Sequence, residues 1–154
     1  MATDDDWASY GRAVMDIVPP GRAPFRLVPD QPGTTGGWPE DLVPPVVVVT
    51  AWDPDSARLQ AGDNQVRHRR LVSELDRSGL VHWPAVGRDP DSPHFEEGVA
   101  VVGLTESEGV DLGRRYGQAA VYVWTPEAWT VVSCTDDQRH TYGWRVADRP
   151  APSG

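Results

Sequence analysis

The sequence predicts an α+β protein with a ferredoxin-like core, a split βαβ arrangement (βαββαβ) with extra antiparallel strands at both ends. The first supporting observation is the run of four valines at 46–49, which indicates a strand buried on both faces. The second is a pair of helical segments that stop at Gly79 and Gly117. The third is a set of apolar runs that supply the other core strands, at 80–86, 99–104 and 119–124.

Length and composition indicate one globular domain. The chain has 154 residues, of which 39% are hydrophobic and 24% charged, so it can build a substantial core. The expected organisation is an N-terminal arm with a hairpin over 1–45 and a core with a C-terminal hairpin over 46–148. The remaining residues, 149–154, are expected to form a disordered tail.

Charge and residue usage exclude several classes of function. The formal net charge of −9 argues against nucleic acid and anionic membranes as partners. No apolar run approaches the ~20 residues that span a bilayer. The start of the sequence has no signal pattern, and the single cysteine allows no internal disulfide, so a cytoplasmic protein is expected. Lysine is absent, which excludes a lysine Schiff base and a P-loop lysine.

The N-terminal region is expected to add strands to the core. Residues 1–7 are acidic and are expected to be frayed. Residues 12–18 alternate moderately in polarity and predict an edge strand, and 25–28 can return as its hairpin partner. The stretch 30–37 is a loop by composition, since it is rich in glycine and threonine.

The first helix of the core is predicted over 63–78, with Asp63 as its N-cap and Gly79 as its stop. Its apolar stripe runs through Leu71 and Leu75, and helical spacing extends that stripe back to His68 and Asn64. The inward face of this helix is therefore predicted to be apolar at its C-terminal end and polar at its N-terminal end.

The second helix of the core is predicted to begin at Thr105, because Thr105 and Glu108 form a capping-box pattern. The strand 119–124 follows the helix stop. The last two strands are predicted over 129–134 and 141–146, as a hairpin around two aspartates.

Polar side chains gather at the predicted strand and helix ends, where α/β layers tend to place ligands. They are Asp53, Asn64, Arg67, His68, Glu96, Glu97 and Gln118, with Trp52 placed to wall a pocket. Carboxylates beside an arginine and an amide can bind a small polar or anionic ligand through directional hydrogen bonds. Plain interpretations remain open: Asp53 as a turn residue, Asn64 as a support for the turn, His68 as a helix histidine, and the glutamates as a solvated face.

Two features resemble catalytic motifs without completing them. His94-Phe95-Glu96 resembles the His-x-Glu element of zinc deaminases, but the Cys-x-x-Cys that those enzymes need is missing. The single cysteine, Cys134, falls in an apolar strand, which disfavours a nucleophilic role. No metal and no cofactor are therefore expected. The basic run 67–70 points in different directions on a helix and is interpreted as a solvated face, with a phosphate-bearing ligand as the alternative.

A resemblance to a known family covers about half of the chain, from 46 to 124. The matching pieces are Thr50-Ala51-Trp52-Asp53-Pro54, Asn64 with Arg67, Pro84 with Gly87, Glu96-Glu97, and Tyr116-Gly117-Gln118-Ala119. In their order and spacing they resemble a bacterial family catalogued as domain of unknown function 3293. The chain has Asp53 and Ala119 where that family usually has asparagine, so a ligand held by those amides would meet different groups here. The family has no settled activity, and the resemblance leaves the function open.

Three hypotheses follow from these residues. The first is a binding or regulatory module for a small polar or anionic ligand at the junction between Trp52 and Asn64. The second is a metal-independent enzyme with Glu97 or Asp53 as general base, and Arg67 and Gln118 positioning the substrate. The third is a protein–protein interaction module that forms a homodimer. A buried carboxylate with a raised pKa in a pocket would favour the enzyme, and a large exposed apolar patch would favour the interaction module.

Overall fold

Eight strands form a closed antiparallel barrel in the computed structural model, which describes residues 2–147. The elements in chain order are α1 (Asp4–Arg12), β1 (Val14–Ile17), β2 (Phe25–Asp30), β3 (Val46–Thr50), α2 (Ala61–Arg77), β4 (His82–Arg88), β5 (Phe95–Val102), α3 (Glu106–Arg115), β6 (Ala120–Trp124), β7 (Trp129–Ser133) and β8 (Arg139–Ala147). A 3₁₀ turn at Pro54–Ser56 lies between β3 and α2. Around the barrel the strand order is β1-β2-β8-β7-β6-β3-β5-β4, and β4 pairs with β1 to close it.

The closed barrel shows that the predicted ferredoxin-like α+β fold is wrong. The elements from β3 to β6 occur in the predicted order, but the sheet to which they belong does not stay open. The N-terminal hairpin bridges its two edges: β1 pairs with β4 through Met15 and Gly87, and β2 pairs with β8 through Leu27 and Val146. An open sheet would leave unpaired backbone groups along both edges, and closure satisfies them.

The valine run in β3 is buried on both faces, as predicted. Val46 and Val48 belong to the interior core of the barrel, together with three tryptophans that are at most 1% exposed: Trp124, Trp129 and Trp144. Val47 and Val49 belong to a second, outer core, which they form with Leu71 of α2 and Leu112 of α3. The two helices therefore cover one side of the barrel wall, and aromatic side chains fill its inside.

The first helix was not predicted, since residues 1–7 were expected to be frayed. Thr3 and Asp6 form a capping box that starts α1: the Asp6 N–H donates to Thr3 Oγ1 at 3.2 Å, and the Thr3 N–H donates to Asp6 Oδ2 at 2.8 Å. Trp7 is buried and stacks on His140 with ring centroids 4.5 Å apart. The Tyr122 hydroxyl donates to the Tyr10 carbonyl oxygen at 3.1 Å, which holds α1 across one end of the barrel.

The bounds of the core helices differ little from those predicted. The N-cap of α2 is Gln60, so the prediction of Asp63 as the cap was wrong, whereas Gly79 follows the helix with φ +69° as a stop residue should. The capping box of Thr105 and Glu108 at the start of α3 is confirmed. No helix within residues 2–147 combines the length and the apolar character needed to cross a membrane. The predicted disordered tail lies outside the described residues.

Candidate functional site at the barrel end beneath the first helix

A cavity of about 270 Å³ opens at the barrel end that α1 covers. Its lining comes from the barrel interior, from α1, and from the loops at this end. Met15, Gly87, Glu96 and Tyr122 belong to the strands, Asp6, Ser9 and Tyr10 to α1, and Asp53, Arg58, His94 and Gln118 to the loops. The lining is mainly polar, and the strands contribute the carboxyl group of Glu96 beside the apolar side chain of Met15.

Asp53 is held in a left-handed backbone conformation, with φ 47° and ψ 58°. Its N–H donates to Asn64 Oδ1 at 2.9 Å, and its Oδ1 accepts from Asn64 Nδ2 at 3.0 Å and from the Leu59 N–H at 2.9 Å. Asn64 is 2% exposed and lies in the first turns of α2. A non-glycine residue in this conformation costs of order 1 kcal/mol. The Asn64 amide contacts both the N–H and the carboxylate of Asp53, and with the Leu59 N–H it holds the carboxylate in place.

Two further side chains hold the backbone of the turn that precedes Asp53. Arg67 donates from Nε to the Ala51 carbonyl at 2.7 Å and from a terminal nitrogen to the Tyr116 carbonyl at 2.7 Å. Gln118 donates from Nε2 to the Trp52 carbonyl at 2.9 Å. These contacts link the end of β3, the start of α2 and the loop before β6, so the turn is fixed from both sides.

Glu96 points into the barrel, because its side chain alternates with that of the outward-facing Glu97 and shares its face with Ala100. Its pKa is raised from 4.5 to about 7, chiefly by burial and then by the charge of Asp53, while the charge of Arg58 acts in the opposite direction. Burial and then the charges of Asp6 and Glu96 raise the pKa of Tyr10 to about 12. The inner end of the cavity is thus a place where a negative charge is disfavoured.

His94 directly precedes β5, its Nε2 lies 3.7 Å from Glu96 Oε1, and the Arg58 guanidinium contacts its ring. Burial lowers the pKa of His94, and the charge of Arg58 lowers it further. Among the described residues, Asp53, His94 and Glu96 form a group whose possible metal-ligand atoms all lie within 4.8 Å of one another. These are the side chains that could hold a divalent cation, but the fixed charge of Arg58 beside His94 opposes one. The arrangement suits hydrogen bonding and proton sharing better.

The structure brings together only part of the predicted site. Asp53, Glu96 and Gln118 line the cavity, whereas Asn64 and Arg67 support the turn that carries Asp53. Trp52 belongs to that turn and lines, with Asn64, an adjacent groove that also includes Asp53. Glu97 and His68 are away from it, on the outer side of the barrel wall near α2. There burial lowers the pKa of His68, while the charge of Glu97 raises it.

Sequence reasoning missed most of the lining, including four side chains with polar groups: Tyr10, Arg58, His94 and Tyr122. A signal existed for His94, because residues two apart at the start of a strand face the same side, and Glu96 was already a candidate. Tyr10 was missed because α1 was not predicted. Arg58 and Tyr122 lie on segments that gave no sign of approaching Glu96.

Replacing Glu96 by glutamine should stabilise the protein at alkaline pH. Because the pKa of Glu96 is raised from 4.5 to about 7, the penalty for its ionisation begins above pH 4.5 and is complete above pH 7. We expect Glu96→Gln to raise the free energy of unfolding by about 1 kcal/mol at pH 8 and to leave it unchanged at pH 4. This value is smaller than the full pKa shift would give, because solvent screens a partly exposed side chain. Urea denaturation at both pH values measures this. The neighbouring Glu97→Gln should be neutral at both, and a loss of stability in Glu96→Gln at pH 8 would contradict the expectation.

A comparison with known protein families identified a match. The sequence model of a family described as "Protein of unknown function (DUF3293)" matches residues 49–121. That span includes Asp53, Asn64, Arg67 and Gln118, together with Arg58, His94 and Glu96 of the cavity lining. Neither the curated proteins nor the solved structures gave a significant match.

Proposed function

We propose that this chain, which belongs to the DUF3293 family through its residues 49–121, binds a small polar ligand in the cavity beneath α1. The observation that carries the proposal is the pair of carboxylates, Asp53 and Glu96, that approach each other inside that cavity. Two carboxyl groups in a partly buried site can accept several directed hydrogen bonds from one ligand. A cytoplasmic location is part of the proposal.

The charges around the cavity favour a ligand with hydrogen-bond donors over an anionic one. Four acidic side chains line it, namely Asp6, Asp53, Asp89 and Glu96, against the basic Arg58 and Arg88. Arg88 already donates to Asp16 at 2.8 Å, a carboxylate that it shares with Arg26. An amine, amidine or amide ligand would complete the hydrogen bonding of the carboxylates, whereas a carboxylate or phosphate ligand would meet like charge.

A second candidate function, acid–base catalysis, is favoured by the pKa of Glu96. A carboxyl group that titrates near pH 7 can take up and release protons at neutral pH, which is the property that a general base requires. The Asp53 carboxylate beside it would stabilise the protonated form. If the protein is an enzyme, the base is Glu96, because its pKa is raised to about 7. Glu97, one of the predicted bases, faces away from the cavity.

The interaction-module hypothesis has less support. The large exposed apolar residues are on separate segments: Val43, Val66, Val81, Phe95 and Val146. A stable interface requires a contiguous apolar patch rather than single side chains. A homodimer remains a prediction that sedimentation of the purified protein can test.

The proposed function is tested by ligand-induced thermal stabilisation of the full chain. The panel contains primary amines, amidines, amides and nucleosides, with matched carboxylic acids as counterparts. A true ligand at 100 times its dissociation constant should stabilise the wild type by about 2.7 kcal/mol. We expect Glu96→Gln to abolish the shift and Glu97→Gln to retain it, since these adjacent residues face opposite sides of β5.

Two outcomes would overturn the binding proposal: equal shifts in both variants, or shifts caused by the acids alone. A compound that stabilises the wild type is then incubated with the protein, and mass spectrometry measures whether the compound is converted. Turnover whose rate rises with an apparent pKa near 7, and which is lost in Glu96→Gln, would support the enzyme. An unchanged hit would support the binding module.

A further inference from the structure

We propose that the outer face of α2 is a docking surface for an acidic peptide segment of a partner protein. The basic face of α2 is defined here by Val66, Arg69, Arg70, Ser73 and Arg77, which line one groove together with Tyr116. The groove shares no residue with the cavity beneath α1, so this proposal stands or falls independently of the proposed function.

Helical geometry places these arginines on one side of α2. At 100° per residue, positions 66, 69, 70, 73 and 77 fall within an arc of about 100°. The buried positions Asn64, Leu71 and Leu75 lie on the opposite side. Within the run 67–70, Arg67 and His68 lie outside this arc, and only Arg69 and Arg70 belong to the basic face. Arg77, two helical turns further on, supplies its third arginine.

The arginines of this face lack acidic partners within the described part of the chain. Salt bridges engage Arg26 and Arg88 with Asp16, Arg115 with Glu74, and Arg139 with Glu106, but no such pair involves Arg69, Arg70 or Arg77. No acidic side chain lines their groove, whose volume is about 510 Å³. In a protein of net charge −9, an acid-free groove with three arginines is a local exception.

The three arginines of this groove are suited to binding carboxylates. Guanidinium groups bind carboxylates in bidentate geometry, and arginine is enriched in protein interfaces. The face extends for about 17 Å along the helix, which matches a short extended peptide. Val66, which is 40% exposed, offers an apolar contact beside the charges. A nucleic acid is disfavoured, since its charge would extend beyond the face onto an otherwise acidic protein.

The test measures binding of a fluorescein-labelled decaglutamate peptide to the full chain by fluorescence anisotropy at low ionic strength. We expect saturable binding that is lost in about 0.5 M NaCl. The variant Arg69→Ala/Arg70→Ala/Arg77→Ala should weaken binding by about tenfold or more. The matched control Arg12→Ala/Arg22→Ala/Arg145→Ala removes the same charge from other surfaces and should change the affinity by less than about twofold.

Amide chemical shifts of the labelled protein locate the peptide. Changes confined to the basic face of α2 and Tyr116 would support docking there. The proposal would be overturned by the absence of peptide binding, by equal losses in the two triple variants, or by tighter binding of duplex DNA than of the peptide. Circular dichroism of each variant establishes that the fold is retained, and a single Arg70→Glu substitution serves if the triple variant unfolds.

Discussion

Replacing Asp16 by asparagine should lower the free energy of unfolding by about 3 kcal/mol or more. Asp16 is 1% exposed, and its carboxylate accepts from Arg26 through both oxygens, at 2.7 and 3.0 Å, and from Arg88 at 2.8 Å. Two arginines therefore share a single buried acid in the wall of the barrel. Because the acid is removed and both partly buried arginines remain, the variant keeps the desolvation cost of these cations, which is greater for Arg26 than for Arg88, and loses the attraction. Urea denaturation at pH 7 measures the loss.

The pH dependence of this effect has a definite sign. Burial raises the pKa of Asp16, but hydrogen bonds and charge from Arg26 and Arg88 outweigh it and hold the pKa below 3.8. The stability that Asp16 contributes is therefore complete above its unfolded-state pKa near 3.8 and is lost as the pH falls through the lower, folded-state value. The difference in the free energy of unfolding between wild type and Asp16→Asn should shrink below about pH 4.

Asp111→Asn is the matched control. It removes an exposed partner of Arg114 and should cost less than about 1 kcal/mol.

Replacing Asn64 by alanine should lower the free energy of unfolding by about 2–3 kcal/mol and should also abolish ligand binding. The substitution removes the acceptor of the Asp53 N–H and a donor to the Asp53 carboxylate, and it leaves Asp53 in a strained conformation without its main support. Urea denaturation gives the first effect, and thermal-shift measurements with a ligand that stabilises the wild type give the second.

A control separates this role from simple helix packing. Gln65→Ala changes the next residue of α2 and should alter stability by less than about 0.5 kcal/mol while preserving the ligand-induced shift. If Asn64→Ala retained wild-type stability and the full ligand-induced shift, Asn64 would not position Asp53. A stable variant without ligand binding would restrict its role to the site.

The sequence predicted local structure where a physical signal was local. The four consecutive valines of β3 place apolar side chains on both faces of the strand, which predicts burial on both faces. The structure confirms this. Thr105 and Glu108 lie within one helical turn and identify the start of α3. The closure of the barrel has no such signal, because β1 meets β4 and β2 meets β8 across long stretches of chain. Short strands of mixed polarity fit an open edge and a closed wall equally well.

The candidate site was predicted to the extent that it depends on the turn after β3. Asp53 and Asn64 are close in sequence, and their contact follows from a strand end that faces a helix start. Glu96 and Glu97 could not be distinguished without the register, because a shift of one residue exchanges the two faces of a strand. The contribution of α1 depends on Thr3 and Asp6, a capping box in which aspartate takes the place of the more usual glutamate.

The position of β8 has a consequence for how the protein is made. On the ribosome, β2 and β7 emerge before residues 139–147 that fill the gap between them, so the nascent chain has two unpaired strand edges during synthesis. Pairing of distant segments is also slow to form, because a large loop must close first. The last strand therefore completes the hydrogen bonding of the first hairpin, and chains interrupted before it would expose edges that other chains can join.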